Sequence, residues 1–157
     1  MITKRYVGFV LLFTHSIAFA EPTTLSCRVA LENEFWAAKP NGQIFPGSEI
    51  SEAEQLDLIL KVDSSNESLV AIESSYHWFS ERDLNRIEWN FGEYLISGWR
   101  SDIDGDKISS WEIKISRLNL EIEVDFESRQ SDSLGTTARD VSGSGTCSKI
   151  DYVDRKL

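Results

Sequence analysis

Apolar and polar residues alternate with a period of two along most of the chain, which is the signature of strands with one buried face. Leu25, Cys27, Val29 and Leu31 alternate with Ser26, Arg28 and Ala30, predicting a first strand with the cysteine turned inward. Leu56, Leu58, Leu60 and Val62 do the same against Asp57 and Lys61, and a third run, Leu69 to Ile72, follows the turn-rich Asp63-Ser64-Ser65-Asn66. Lys39-Pro40-Asn41-Gly42 to Pro46-Gly47-Ser48 reads as a loop by its breakers, with Trp36 in the loop just before it. Ser51-x-x-Glu54 has the form of a cap for one helical turn, although no apolar helical face follows it. Ser80 with Asp83 predicts another such turn, leading into a strand on which Ile87, Trp89 and Phe91 alternate.

Two hairpins are predicted between Tyr94 and Phe126. Centring a type I′ turn on Asp104-Gly105 sets Ile96 opposite Ile113, Tyr94 opposite Ile115 and Gly98 opposite Trp111, which sorts one face into apolar residues and glycine. In that register the Trp111 indole covers Gly98, and Trp99 points to the other face. A turn within Ser116-Arg117-Leu118-Asn119 then keeps Trp111, Ile113 and Ile115 on the same side as Leu120, Ile122, Val124 and Phe126, leaving Glu121, Glu123, Asp125 and Glu127 in a row on the other. Ser131 to Gly145, rich in Ser, Gly and Thr, reads as loop or weak strand, and Gly145-Thr146-Cys147 resumes an extended segment. The expected fold is all-β: an antiparallel barrel or sandwich of about seven or eight strands with one short helical turn.

The first twenty residues fall outside this pattern. Lys4 and Arg5 precede an apolar run from Tyr6 to Phe13, and Ala18-Phe19-Ala20 has the small-x-small form of a signal-peptide cleavage site, so residues 1–20 read as a leader and 21–157 as a single exported domain, periplasmic or secreted. The run is too short for a membrane span, and none is expected in the mature chain. Cleavage after Ala20 removes two basic residues and no acid, which takes the net charge from -10 to -12. Such an excess of acid argues against nucleic acid as a partner, because phosphate backbones are bound through Lys and Arg clusters. In an oxidising compartment the even pair Cys27 and Cys147 reads as one disulfide between the first and last strands, and no Cys-x-x-Cys points to redox chemistry.

The chain resembles a group of small uncharacterised β-domain proteins exported by Gram-negative bacteria. The resemblance rests on Leu25-Ser26-Cys27, on Ile96-Ser97-Gly98, on Ile115-Ser116-Arg117 running on to Ile122, and on Gly145-Thr146-Cys147 followed by Lys149-Ile150-Asp151 and Arg155-Lys156-Leu157. It implies a periplasmic β-domain and brings no activity with it.

Candidate chemistry is sparse. Asp102, Asp104 and Asp106 with a late Glu112 give the oxygen spacing of a calcium loop one residue short, without its central glycine and between strands where an EF-hand has helices, so any calcium site here is expected to be weak. His77, within Tyr76-His77-Trp78, is the sole histidine beyond the leader, and no nucleophile, phosphate loop, dinucleotide fingerprint or zinc spacing accompanies it; no cofactor is expected. Trp36 and Trp99 are candidates for a binding surface, and the row Glu121, Glu123, Asp125 and Glu127 suits a cationic protein. The expectation is a non-catalytic binding module, of the kind that inhibitors of lysozymes and immunity proteins represent. The alternatives are a lipocalin-like carrier with a small apolar ligand inside the barrel, a weak calcium-binding β-protein, and a hydrolase working through acids alone.

Overall fold

The computed structural model describes residues 21–152. The predicted leader and the C-terminal Arg155-Lys156-Leu157 lie outside the described residues. Eight antiparallel strands form a nearly closed barrel: β1 (Thr23–Ala38), β2 (Ile50–Asp63), β3 (Ser68–Ser74), β4 (Glu88–Phe91), β5 (Leu95–Asp104), β6 (Lys107–Ser116), β7 (Glu121–Asp132) and β8 (Gly135–Ile150), in the spatial order β3-β2-β1-β8-β7-β6-β5-β4. Every ladder but one therefore joins strands consecutive in sequence, and the exception pairs the first strand with the last. Among the described residues no helix is long and apolar enough to cross a membrane.

The predicted alternation supplies the core. Leu25, Val29, Leu56, Leu60, Ile96, Ile115, Ile122 and Val124 are fully buried on the inner face. The Cys27–Cys147 disulfide links a directly opposed pair of β1 and β8, with Cα atoms 3.9 Å apart. The sheet thus closes where its first and last strands meet, and the ring stays open between β3 and β4.

That seam is filled by the segment joining the two strands, a 3₁₀ turn (His77–Phe79) and a single helical turn, α1 (Glu81–Leu84). Ser80 caps α1 as expected, accepting from the Asp83 amide. Phe79 and Leu84 are driven into the core, and the Tyr76 hydroxyl is pushed up to about 12, first by burial and then by Glu54. Two side chains also occupy the main chain of the open edge: Asn85 accepts from the Ala71 amide at 2.7 Å and donates to its carbonyl at 3.1 Å, and Glu81 accepts from the Ser74 amide at 2.6 Å. They take the place of a ninth strand.

Three expectations need correction, and a fourth, left between loop and weak strand, resolves as strand. The β5–β6 turn is centred on Gly105-Asp106, so Ile96 faces Ile115, Gly98 faces Ile113 and Arg100 faces Trp111. Gly105, at the first central position, has φ 58°, the type II′ pattern. The inward set is unchanged, but Gly98 lies beneath Ile87 and Trp89 rather than Trp111. Residues from Gly135 to Gly145 are strand, because β8 lies between β1 and β7 and is held by both ladders. Trp36 belongs to β1, which continues to Ala38 against β8, and Ser51 to Glu54 belong to β2 rather than to a helical turn.

Candidate functional site

Strand alternation that buries one face exposes the other, and the registers place the outer residues in rows across the barrel. Directly opposed residues on one face stand about 5 Å apart at Cβ. One row runs Glu34, Asp140, Glu127 across β1, β8 and β7. The next runs Glu32, Ser142, Asp125, Glu112, Trp99, Glu88 from β1 to β4. A third brings Ser144, Glu123 and Lys114 together. Glu121 extends the β7 column at its far end. The four acids predicted on β7 are exposed as expected, and they form the centre of a larger acidic surface.

Small side chains shape this surface. Ala30, Ser142 and Ser144 on the middle strands are lower than the acids on either side, so a shallow trough runs between Glu32 and the pair Glu123 and Asp125. Crowding of the carboxylates acts on Asp125. Asp125 is held above the usual carboxylate range, first by the water its neighbours displace and then by the charge of Glu112. Lys114 is shifted up by its hydrogen bond to Glu112, with which it pairs at 2.9 Å. Asp140, between Glu34 and Glu127, has a buried Oδ1 without a hydrogen-bond partner.

Trp99 stands in the second row between Glu112 and Glu88 and is 60% exposed, in contrast to Trp111, which is 7% exposed and donates its indole N–H to the Trp78 carbonyl. A large exposed indole flanked by carboxylates offers a π-face and two negative charges to the same cation. Trp36 is half-buried on the outer side of β1, opposite Ala138 and away from Trp99. The two candidate tryptophans therefore lie apart, and only Trp99 joins the acidic rows.

The four residues of the calcium reading do not converge. Asp102 is engaged by Arg100, with Arg86 at 3.8 Å, Asp104 lies opposite Lys107, Asp106 is in the turn, and Glu112 is on the outer face with Lys114. Among the described residues no three His, Cys, Asp or Glu side chains group as metal ligands. His77 is exposed and contacts the rings of Tyr76 and Trp78, 5.0 and 4.6 Å between centroids.

The chain matches no family model, no curated protein and no solved structure. Sequence reasoning missed Glu32, Glu34 and Glu88 as members of the acidic surface, although Glu32 and Glu34 alternate with Leu31 and Asn33 in the continuation of β1. Asp140 was missed because its segment, read as loop or weak strand, gave no register that would assign it a face.

Proposed function

We propose that the protein is an exported, non-catalytic binding module whose partner is a cationic protein, held on the outer face of β7, β6 and β5. The observation that carries this reading is the unbroken row Asp125, Glu112, Trp99, Glu88, in which an exposed aromatic anchor sits among carboxylates. Aromatic anchors supply most of the energy of protein interfaces, while complementary charge sets the encounter rate and excludes wrong partners. A basic surface with an exposed Lys or Arg fits both parts at once. Inhibition of a basic cell-wall enzyme, or immunity to one, is the class of activity such a module would perform. The disulfide is compatible with an oxidising compartment such as the periplasm.

The test is calorimetric titration against a panel of basic proteins, lysozymes among them. Binding is expected to weaken steeply between about 0.05 and 0.5 M salt, since the screening length falls from about 14 Å to about 4 Å across that range. Trp99→Ala should cost at least tenfold in affinity, as loss of an interface anchor does. Lys114→Gln, which removes a cation from within the rows, should tighten binding a few-fold. Affinity that ignores both salt and Trp99 would overturn the reading.

A further inference from the structure

The inner face is apolar only up to the layer of Val141, Phe126 and Trp111. β1, β8, β7 and β6 run past that layer, and their next inward residues are Phe35, Arg139, Ser128 and Ser109, then Thr137, Gln130 and Lys107. A polar cup therefore stands above the core, and Trp78 forms its floor. Phe126 stacks beneath the Trp78 indole at 5.1 Å, while the Arg139 guanidinium and the Lys107 ammonium stand 5.1 and 6.0 Å from its centroid. Phe35 flanks Arg139 at 5.2 Å.

In so acidic a chain the pairing of these two cations is unexpected. Arg100, at the same end, is held by Asp83 and Asp102. Arg139 instead spends one donor on the Asn33 side-chain oxygen at 2.8 Å, and Glu54 reaches it only through the far side of that amide. Among the described residues neither Arg139 nor Lys107 has a carboxylate within ion-pair distance, and Asp104, opposite Lys107 in register, is exposed. Two like charges are thus fixed over one ring, no more than about 11 Å apart, with guanidinium donors left for solvent. Ring stacking has already restricted both side chains, so less ordering remains to be done on binding. Beside them opens a cavity of about 300 Å³ whose wall includes Ala37, Phe45 and Leu134 together with Asp132, and which shares Gln130 and Thr137 with the cup.

We propose that this end of the barrel binds a small amphipathic carboxylate, its oxyanion held between Arg139 and Lys107 and its apolar body against Phe45 and Leu134. The planar guanidinium fork matches a carboxylate in two parallel hydrogen bonds, and the ammonium adds a second charge-assisted contact. The two cations lie on the inner face and the apolar contacts on the connections at the barrel mouth, apart from Trp99 and the acidic rows. Repulsion from the net charge of the chain is screened beyond about 8 Å at physiological ionic strength.

Octanoate and inorganic phosphate serve as probes, followed by the nitrogen–proton resonances of the Trp78 indole and the Arg139 Nε. Octanoate is expected to saturate at low-millimolar concentration or below, shifting both signals, and phosphate to shift them more weakly. Lys107→Gln and Arg139→Gln should each weaken octanoate about tenfold, the usual effect of removing one charged hydrogen-bond partner. The pair Phe45→Ser and Leu134→Ser should weaken octanoate and leave phosphate unchanged. Among the described residues the Lys107 side chain makes no hydrogen bond, and the substitution leaves its main-chain pairing in place, so Lys107→Gln decides the matter even if the arginine variant fails to fold. Unaltered octanoate affinity in Lys107→Gln, or no shift by either anion at ten-millimolar concentration, would overturn the proposal.

Discussion

Asp125 has Glu112 opposite it on β6, Glu123 and Glu127 two positions away on its own strand, and one nearby cation, Lys114. Its raised pKa means that the folded state disfavours the charged carboxylate relative to the unfolded chain. For a carboxylate whose folded value is raised, the cost is fully present above that value and is relieved as pH falls through it; below the unfolded value near 3.8 nothing remains. Asp125→Asn should therefore raise the melting temperature at pH 7, by no more than a degree or two because the site is on the surface, and the gain should vanish near pH 3. A gain that persists at pH 3 would show that packing, not charge, is responsible. The same variant should bind a cationic partner more weakly, which separates a residue kept for binding from one kept for stability. Trp99 follows the same logic: a large indole mostly in water adds little to the fold.

Among the elements, β5 and β6 show what alternation can and cannot specify. A period of two distinguishes the faces of a strand but not a shift of two residues, so centring the turn on Asp104-Gly105 or on Gly105-Asp106 buries the same side chains. The choice is made by contacts distant in sequence: a Cβ on Gly98 would come within 2.8 Å of the Trp89 ring, and Arg100 lies 4.8 Å over the Trp111 ring that faces it. β8 was left between loop and weak strand for another reason. Its Gly and Ser residues have little strand propensity, yet a Cβ on Gly145 would meet the Arg28 carbonyl and stand 2.7 Å from the Val29 Cα, so the close crossing of β1 and β8 requires glycine where propensity argues for loop. Gly145→Ala should destabilise the protein by about 3 kcal/mol, read by urea denaturation; a near-neutral result would mean that the two strands separate easily. At the seam, Asn85→Ala removes both hydrogen bonds to Ala71 and bares the β3 edge. It should cost about 1–2 kcal/mol and increase self-association in sedimentation, since an uncovered edge recruits strands from other molecules.

For the whole molecule, the alternation places its acids on the outer wall, while the ends of the strands hold cations on the inner wall of one mouth. Both arrangements depend on the barrel keeping its curvature, and that depends on the pairing of β1 with β8, the contact most remote in sequence. Cys27 and Cys147, 120 residues apart, tie this ladder at directly opposed positions and are both buried. The other ladders join strands adjacent in sequence and close through short connections, so they re-form locally after unfolding; this one must bring the two ends of the domain together. Crosslinking relieves the unfolded chain of that search, and the chain-entropy account assigns roughly 4–5 kcal/mol to a loop of this length, with measured values more often about 2–4. Replacing both cysteines by alanine should therefore lower stability by about 2–4 kcal/mol and raise the dependence of stability on urea, because an uncrosslinked unfolded chain exposes more surface. The folded variant should still bind through Trp99 with unchanged affinity, as neither cysteine reaches the outer rows. A loss below about 1 kcal/mol would show that the β1–β8 hydrogen bonds and the glycine contacts hold the ring without the crosslink.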